Sequence, residues 1–419
     1  MHALQTAKDL DHLINDIGER SVVMLGEASH GTHEYYTWRT AISKRLISEK
    51  GFRFIAVEGD WPDCYKINRY VKGYPDAGDS INSVLQSFDR WPTWMWANWE
   101  VAALAEWLRD YNKALPANQK IGFYGLDVYS LWDSMHEMLN YLEKEDPSAA
   151  QSVKKAIRCF EPFYENEFAY ARFSLHEHGC RDKVLDLLKE IRMKAQFLDG
   201  DREAGFNTEQ NALIAVNAEK YYRSMMGFDN ESWNVRDRHM METLDRLMNF
   251  HGSNAKAIVW EHNTHIGDAR ATDMKKSGMI NIGQLAREEY GENKVYLAGF
   301  GCYSGKVIAG DEWGAPMQEM QVPEAREGSI EYDLHRDNPE DRYLLFNTED
   351  LNRKYQTAIK HRAIGVVYNP ERERFGNYVA SKMSQRYDAF IYLDETTALH
   401  PLHLQPAGDK IPETYPFGL

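Results

Sequence analysis

At 419 residues the chain has room for two or three domains, or for one large α/β core carrying an insertion. Its 43% hydrophobic and 27% charged residues, with 11 Trp and 24 Tyr, suit a globular protein with a large core. The formal net charge of −15 argues against nucleic acid or an anionic membrane as a partner, and against anionic polymers as substrates unless a basic pocket overrides the field. Residues 8–19 read as a short helix feeding a buried strand, Val22-Val23-Met24-Leu25, which stops abruptly at Gly26. A helix then spans about 32–49, with Tyr35, Trp38, Ile42 and Leu46 on one stripe and Gly51 as its stop. Phe52 to Val57 is a second apolar run and ends on Glu58. A loop follows, then the Trp-rich stretch 91–99 leading into an amphipathic helix through Tyr111. Ile121 to Tyr124 is a third strand, closing on Gly125-Leu126-Asp127.

From about Ser130 to Phe250 the pattern is helical throughout, with segments at 131–144, 148–160, 180–198, 208–227 and 234–250. Strand signals return at Ala257–Trp260, Lys294–Ala298, Ala363–Tyr368 and Ala389–Leu393. Residues 302–345 read as a short β excursion at Lys306–Ala309 and long loops. Seven buried runs, several separated by helices, predict a mostly parallel sheet flanked by helices, an α/β core of 1–129 and 251–419. Residues 130–250 form a large all-helical insertion or cap on it.

No stretch approaches the ~20 apolar residues that span a bilayer, and Met1 to Asp11 lacks the apolar run of a signal peptide. The four cysteines, Cys64, Cys159, Cys180 and Cys302, stand far apart and form no CxxC. They read as reduced, packed thiols in a cytoplasmic compartment.

Glu27, Glu58, Asp127 and His262 each stand at or just after the end of an apolar run. If those runs are parallel strands of one sheet, all four meet on its carboxyl-terminal edge, where α/β proteins bind ligands. Strand ends also need polar residues for their turns, but Ser, Asn or Gly would serve a turn as well. Beside Glu27, His30 makes a pair suited to proton transfer near neutral pH, or alternatively a hydrogen bond that only shapes the turn. His262 and His265, three apart after a strand, suit metal ligation or an acid with its orienting partner, and are not an HExxH helix. Arg236 could neutralise an oxyanion, or simply open a solvated helix among local Asp–Arg pairs. His176-Glu177-His178 reads as exposed. Trp94, Trp96 and Trp99 suit core packing or the wall of an apolar cleft. There is no G-x-S-x-G elbow, no P-loop, and no GxGxxG after a strand.

These segments together resemble the erythromycin esterase family, including members labelled as succinoglycan biosynthesis proteins. The resemblance is carried by Gly26-Glu27-Ala28-Ser29-His30-Gly31 with Arg39, Val57-Glu58-Gly59, Phe88…Trp94-Met95-Trp96…Glu100 and Gly125-Leu126-Asp127. It continues through Trp233-Asn234-Val235-Arg236-Asp237, His262-Asn263-Thr264-His265-Ile266-Gly267, Tyr303-Ser304-Gly305-Lys306 and Asp394-Glu395-Thr396-Thr397-Ala398-Leu399. It implies a carboxylic ester hydrolase that opens the lactone ring of a macrolide, or cleaves a related ester, by activating water without a serine nucleophile. By that match His30 is the general base and Glu27 orients it. Glu58, Arg236, His262 and His265 complete the catalytic set, while Arg39, Asp127, Trp94 and Trp96 face substrate. The resemblance implies a small-molecule partner and no required cofactor. It leaves open a divalent metal on Glu27, His30, Glu58 and His262, as in a metal-dependent hydrolase of the same clan. A non-catalytic protein that binds haem or another large apolar ligand is the remaining alternative.

Overall fold

Short apolar runs without a polar break suit strands covered on both faces, and most of them form such strands. The computed structural model describes residues 1–164, 166–175, 179–195, 203–227 and 230–402. In chain order the strands are β1 (His2–Ala3), β2 (Val22–Leu25), β3 (Phe54–Asp60), β4 (Gly122–Asp127), β5 (Ala257–Trp260) and β6 (Val295–Ala309). After them come β7 (Gln318–Val322), β8 (Arg342–Leu345), β9 (Ile359–Arg362), β10 (Tyr378–Ser381) and β11 (Ala389–Thr396). The main sheet runs β1-β8-β11-β6-β2-β5-β3-β4, with β7 paired to β6. The pairs β11–β6, β6–β2, β2–β5 and β5–β3 are parallel, whereas β8–β11, β1–β8 and β6–β7 are antiparallel. The fold is therefore α/β, with a mostly parallel sheet and flanking helices. No helix among the described residues is long and apolar enough to cross a membrane.

Register decides what the sheet presents. Leu25 is paired with both Trp260 and Ala298, and Trp260 is paired with Val57 as well. The last apolar residues of β2 and β5, and Ala298 of β6, are thus level with Val57, just before Glu58 in β3. Beyond β2 the chain crosses to β3 on one side, while β5 is followed by β6 on the other. This reversal around β2 is a topological switch point, the place where open α/β sheets leave a crevice for ligand.

Two expectations fail here for physical reasons. Lys294–Ala298 and Lys306–Ala309 belong to a single strand, β6, of fifteen residues from Val295. Between the two expected runs, Gly299 and Gly301 make room for the rings of Tyr387 and Phe390, which a Cβ would meet at 2.6 and 2.7 Å. Ala363–Tyr368 is not a strand and makes only isolated bridges, Ile364 to Ser29 and Val367 to Gly310. Its backbone groups are taken up singly by Asn377, Ala28 and Gly310, so no ladder forms. The pairing in that region is instead β9 with β10, a separate two-stranded sheet.

The chain divides into two compact units: Met1–Glu58, Lys66–Tyr124 and His251–Leu419 form the α/β unit, and Gly59–Tyr65 with Gly125–Phe250 the second. Between Leu131 and His251 the described elements are helices, the longest being Leu131–Glu145, Pro147–Phe160, Arg181–Lys194, Ala204–Ser224 and Glu231–His251. Their apolar stripes meet in one core containing Met135, Leu142, Val153, Leu187, Leu213 and Val235. His176-Glu177-His178 and the last part of the 180–198 helix lie outside the described residues.

The reading of four separate reduced thiols is corrected in this second unit. The end of Pro147–Phe160 and the start of Arg181–Lys194 bring Cys159 and Cys180 to a Cα separation of 5.8 Å, and they form a disulfide. Cys64 and Cys302 are buried and free. Sequence distance hid the pair because a helical turn-back of 21 residues, not a motif, closes the loop. A thiol reagent added to denatured, unreduced protein is expected to titrate two cysteines per chain, and four after reduction. Reduction should destabilise the unit by about 2–4 kcal/mol in denaturant titrations, as for a loop of this length.

Candidate active site

The site begins with a fully buried charge. Arg39, on the helix His33–Lys50, is 0% exposed, and an arginine does not lose its proton. Its guanidinium lies 4.5 Å from the Tyr36 ring centroid and 4.7 Å from that of Trp260. Aromatic faces attract a cation but do not neutralise it. Neutralisation comes from Glu27, whose Oε2 accepts from Arg39 Nη2 at 2.6 Å. The other carboxylate oxygen, Oε1, lies 2.8 Å from His30 Nδ1. A carboxylate paired with Arg is an acceptor only, so His30 Nδ1 carries the proton and Nε2 is the basic nitrogen.

Two glycines make the loop fit. A Cβ on Gly26 would overlap the Asn263 side-chain oxygen, and one on Gly31 would overlap the Ile308 carbonyl oxygen. Gly31 O in turn accepts from Ile308 N at 3.0 Å, which pins the loop to β6. Asn263 ties the strands together at this edge. Its backbone N–H donates to Glu27 O at 2.9 Å, and its amide donates to Phe300 O at 2.6 Å.

Glu58, 4% exposed, organises the other half of the cluster. Its Oε2 accepts from the His262 backbone N–H at 2.8 Å, and its Oε1 lies 3.4 Å from His265 Nε2. Trp96 donates its indole N–H to the Glu58 carbonyl oxygen at 3.0 Å. His262 caps the short helix Asn263–Ile266, its Nδ1 accepting from the Thr264 backbone N–H at 3.3 Å. Thr264 Oγ1 also meets Nδ1, at 2.8 Å; with Nδ1 accepting, the ring proton sits on Nε2, which is buried, and the ring lies against the Ala28 backbone. The His262 and His30 rings are 5.0 Å apart between centroids. Burial, then the neighbouring His30, pushes the His262 pKa well below its ordinary value, so the ring is neutral at pH 7.

Within the α/β unit the structure thus gathers Glu27, His30, Arg39, Glu58, His262 and His265. Of the two readings open for Trp94 and Trp96, core packing or a substrate wall, both side chains take the first, packed inside the unit at 1% and 7% exposure. Arg39, expected to face substrate, is instead the counter-charge of Glu27. Asp127 and Arg236 belong to the second unit and engage each other there, Nε to Oδ1 at 2.9 Å and Nη2 to Oδ2 at 2.7 Å. Arg236 also lies over the Tyr129 ring at 4.9 Å.

Sequence reading missed three contributors. Asn263 has a local signal, its place between His262 and His265. Tyr36 has only a helical spacing of three from Arg39. The Glu331–His361 pair, with Oε1 and Nδ1 2.6 Å apart and His361 Nε2 3.2 Å from the Asn263 amide, has none, because only the fold brings them together.

As an arrangement for chemistry, the cluster offers an imidazole base oriented by a carboxylate, a neutral imidazole N–H donor beside it, and a further carboxylate–imidazole pair. A model of the erythromycin esterase family matches residues 47–396 of the chain. The Escherichia coli protein named erythromycin esterase type II is 24% identical over 407 residues, covering 88% of this chain and 94% of that one. A Bacillus cereus protein of known structure superimposes with a TM-score of 0.78 at 18% identity, over 95% of this chain and 94% of its own. A mutant of the erythromycin esterase EreC, solved in an open conformation, gives 0.67 at 14% identity, over 94% and 95%. At such identities these two structures speak to the fold alone.

Removing one partner of a buried ion pair strands the other. Arg39→Met is expected to lower the unfolding free energy in urea by about 3–5 kcal/mol. His262 adds an acid-side dependence. Below its ordinary value of 6.5 the unfolded chain binds a proton there that the folded chain refuses, so stability falls as pH drops below 6.5. In denaturant titrations from pH 7 to pH 5, His262→Gln should flatten that decline.

Proposed function

This chain belongs to the erythromycin esterase family and is a hydrolase acting on a small molecule; from that premise we propose that it opens the lactone ring of a macrolide, or cleaves a related ester, with a water activated by His30. The observation that carries the proposal is the buried Arg39–Glu27–His30 relay beside the His262 N–H donor.

In the proposed reaction His30 Nε2 takes a proton from water as the oxygen attacks the ester carbonyl carbon. Glu27 holds the ring by its Nδ1–H and stabilises the imidazolium that forms. The carbonyl oxygen becomes an oxyanion and accepts from His262 Nε2–H. A neutral imidazole held below its usual pKa is a suitable donor there, since it offers a hydrogen bond without giving up its proton. The tetrahedral intermediate collapses, the acyl C–O bond breaks, and the imidazolium of His30 returns its proton to the departing alkoxide. The products are an alcohol and a carboxylic acid, joined in one hydroxy acid when the substrate is a lactone. Glu58 fixes His262 through its backbone and His265 through its ring. No step is routed through Arg236, whose charge Asp127 already balances.

Water rather than serine is the proposed nucleophile. Ser29, the hydroxyl nearest His30 in sequence, is hydrogen-bonded to Thr32, and no serine elbow occurs in the chain. The proposed steps also need no metal, and full activity after exhaustive chelation is the result expected. A macrolide is favoured among esters because its amino sugar is cationic and the chain carries a net charge of −15.

Incubation with fourteen- and sixteen-membered macrolides and with simple lactones, read by mass spectrometry, is expected to show addition of one water to a macrolide. His30→Asn should lower kcat/KM by roughly 10²–10⁴-fold, and His262→Ala by roughly 10²–10³-fold, with the circular dichroism spectrum unchanged. Hydrolysis of small lactones alone would remove the macrolide and keep the esterase. Full activity in His30→Asn would remove the mechanism.

A further inference from the structure

A second group of ligating side chains stands outside the chemistry assigned above. His33 opens the helix His33–Lys50, Glu100 lies in the first turn of the helix Trp99–Asn112, and His400 lies in the segment after β11. One carboxylate oxygen, Glu100 Oε1, is shared by His33 Nδ1 at 2.5 Å and His400 Nδ1 at 2.6 Å. The two rings meet edge to face with centroids 5.0 Å apart. One ligating atom from each of the three residues falls within 4.8 Å of the others. The Glu100 side chain is 4% exposed, and its second oxygen, Oε2, is buried without a hydrogen-bond partner among the described residues.

From this geometry we propose that His33, Glu100 and His400 form a binding site for a divalent transition-metal ion of the zinc class. Two imidazoles and one carboxylate are a zinc donor set, and they leave a fourth position for water. A bound ion would also satisfy Glu100 Oε2, which otherwise stays buried without a donor. Access is open from one side, because the His400 side chain is 59% exposed and that of His33 33%.

The ligands are placed by backbone, not only by their mutual attraction. His33 N donates to Thr397 O at 3.0 Å, Leu399 N to Gly31 O at 2.9 Å, Trp99 N to His400 O at 3.0 Å and Leu402 N to Ala97 O at 2.9 Å. Glu34 adds two bonds to Thr397, at 2.8 and 2.7 Å. All three elements are thus registered before any ion arrives, which lowers the ordering cost of binding. The ion clips the segment 397–402 to the loop that carries His30. Its role is structural, and it stays in place when the water-activating residues are changed.

The test uses the full-length, untagged chain, stripped with a chelator, mixed with zinc sulfate, desalted, and analysed for zinc by mass spectrometry. About one zinc per chain is expected in the wild type and in His262→Ala. His400→Ala, whose side chain is mostly exposed and whose loss leaves the core intact, should lower zinc affinity by at least about tenfold, as should His33→Asn. Zinc should raise the Tm of the wild type and not that of His400→Ala. Absence of stoichiometric zinc in the wild type would overturn the proposal, and so would zinc retained in the double variant His33→Asn, His400→Ala. Zinc lost in His262→Ala but kept in His400→Ala would also overturn it, by moving the ion to the hydrolytic cluster.

Discussion

The whole site depends on the ion pair between Arg39 and Glu27. A guanidinium with no solvent exposure commits the structure to a carboxylate, and the two rings around it, Tyr36 and Trp260, leave little freedom in where that carboxylate sits. Once Glu27 is fixed by one oxygen, the other is fixed as well, and His30 follows with its Nδ1 proton committed. A buried ion pair of this kind adds little net stability compared with well-packed apolar groups. Its contribution is orientation, which a catalytic imidazole needs more than the fold needs the energy.

The sheet supplies the second constraint. Because β2, β3 and β5 run parallel and in register, residues more than two hundred positions apart in sequence arrive at one edge without any long loop to carry them. Glu58 meets the backbone of His262 there, and Asn263 bonds to Glu27 and to Phe300, so the ends of β2, β3 and β5 share one hydrogen-bonded network with β6. Gly26 and Gly31 keep the loop between β2 and its helix pressed against that network. A network this deeply buried is also easily broken, since each buried polar group that loses its partner costs as much as several good contacts contribute.

Much of this was legible in the sequence for a simple reason. Strands buried on both faces are continuous apolar runs, so β2, β3, β4, β5 and β11 announce themselves, and the residues that end them are easy to single out. Glu27, Glu58 and His262 could be grouped from position alone. What stayed hidden has other causes. β7 is polar and largely exposed, and β9 carries Lys360, His361 and Arg362, so neither shows an apolar run. β6 hides behind glycines that serve packing. Arg39 reads as a substrate contact by resemblance, because helical spacing does not reveal what a buried charge will face. His33 and His400 carry no shared motif; only the course of the last segment brings them to Glu100.

Arg39 fixes Glu27, and Glu27 in turn fixes the tautomer of His30; if that sequence of constraints fails, the proposed chemistry fails with it. Imidazole ¹⁵N chemical shifts in labelled protein at neutral pH measure the tautomers directly. Two rings 5.0 Å apart are expected to hold opposite ones, His30 protonated on Nδ1 and His262 on Nε2, with the His30 preference lost in Glu27→Gln. A neutral His30 carrying its proton on Nε2, or a tautomer unmoved by Glu27→Gln, would contradict it.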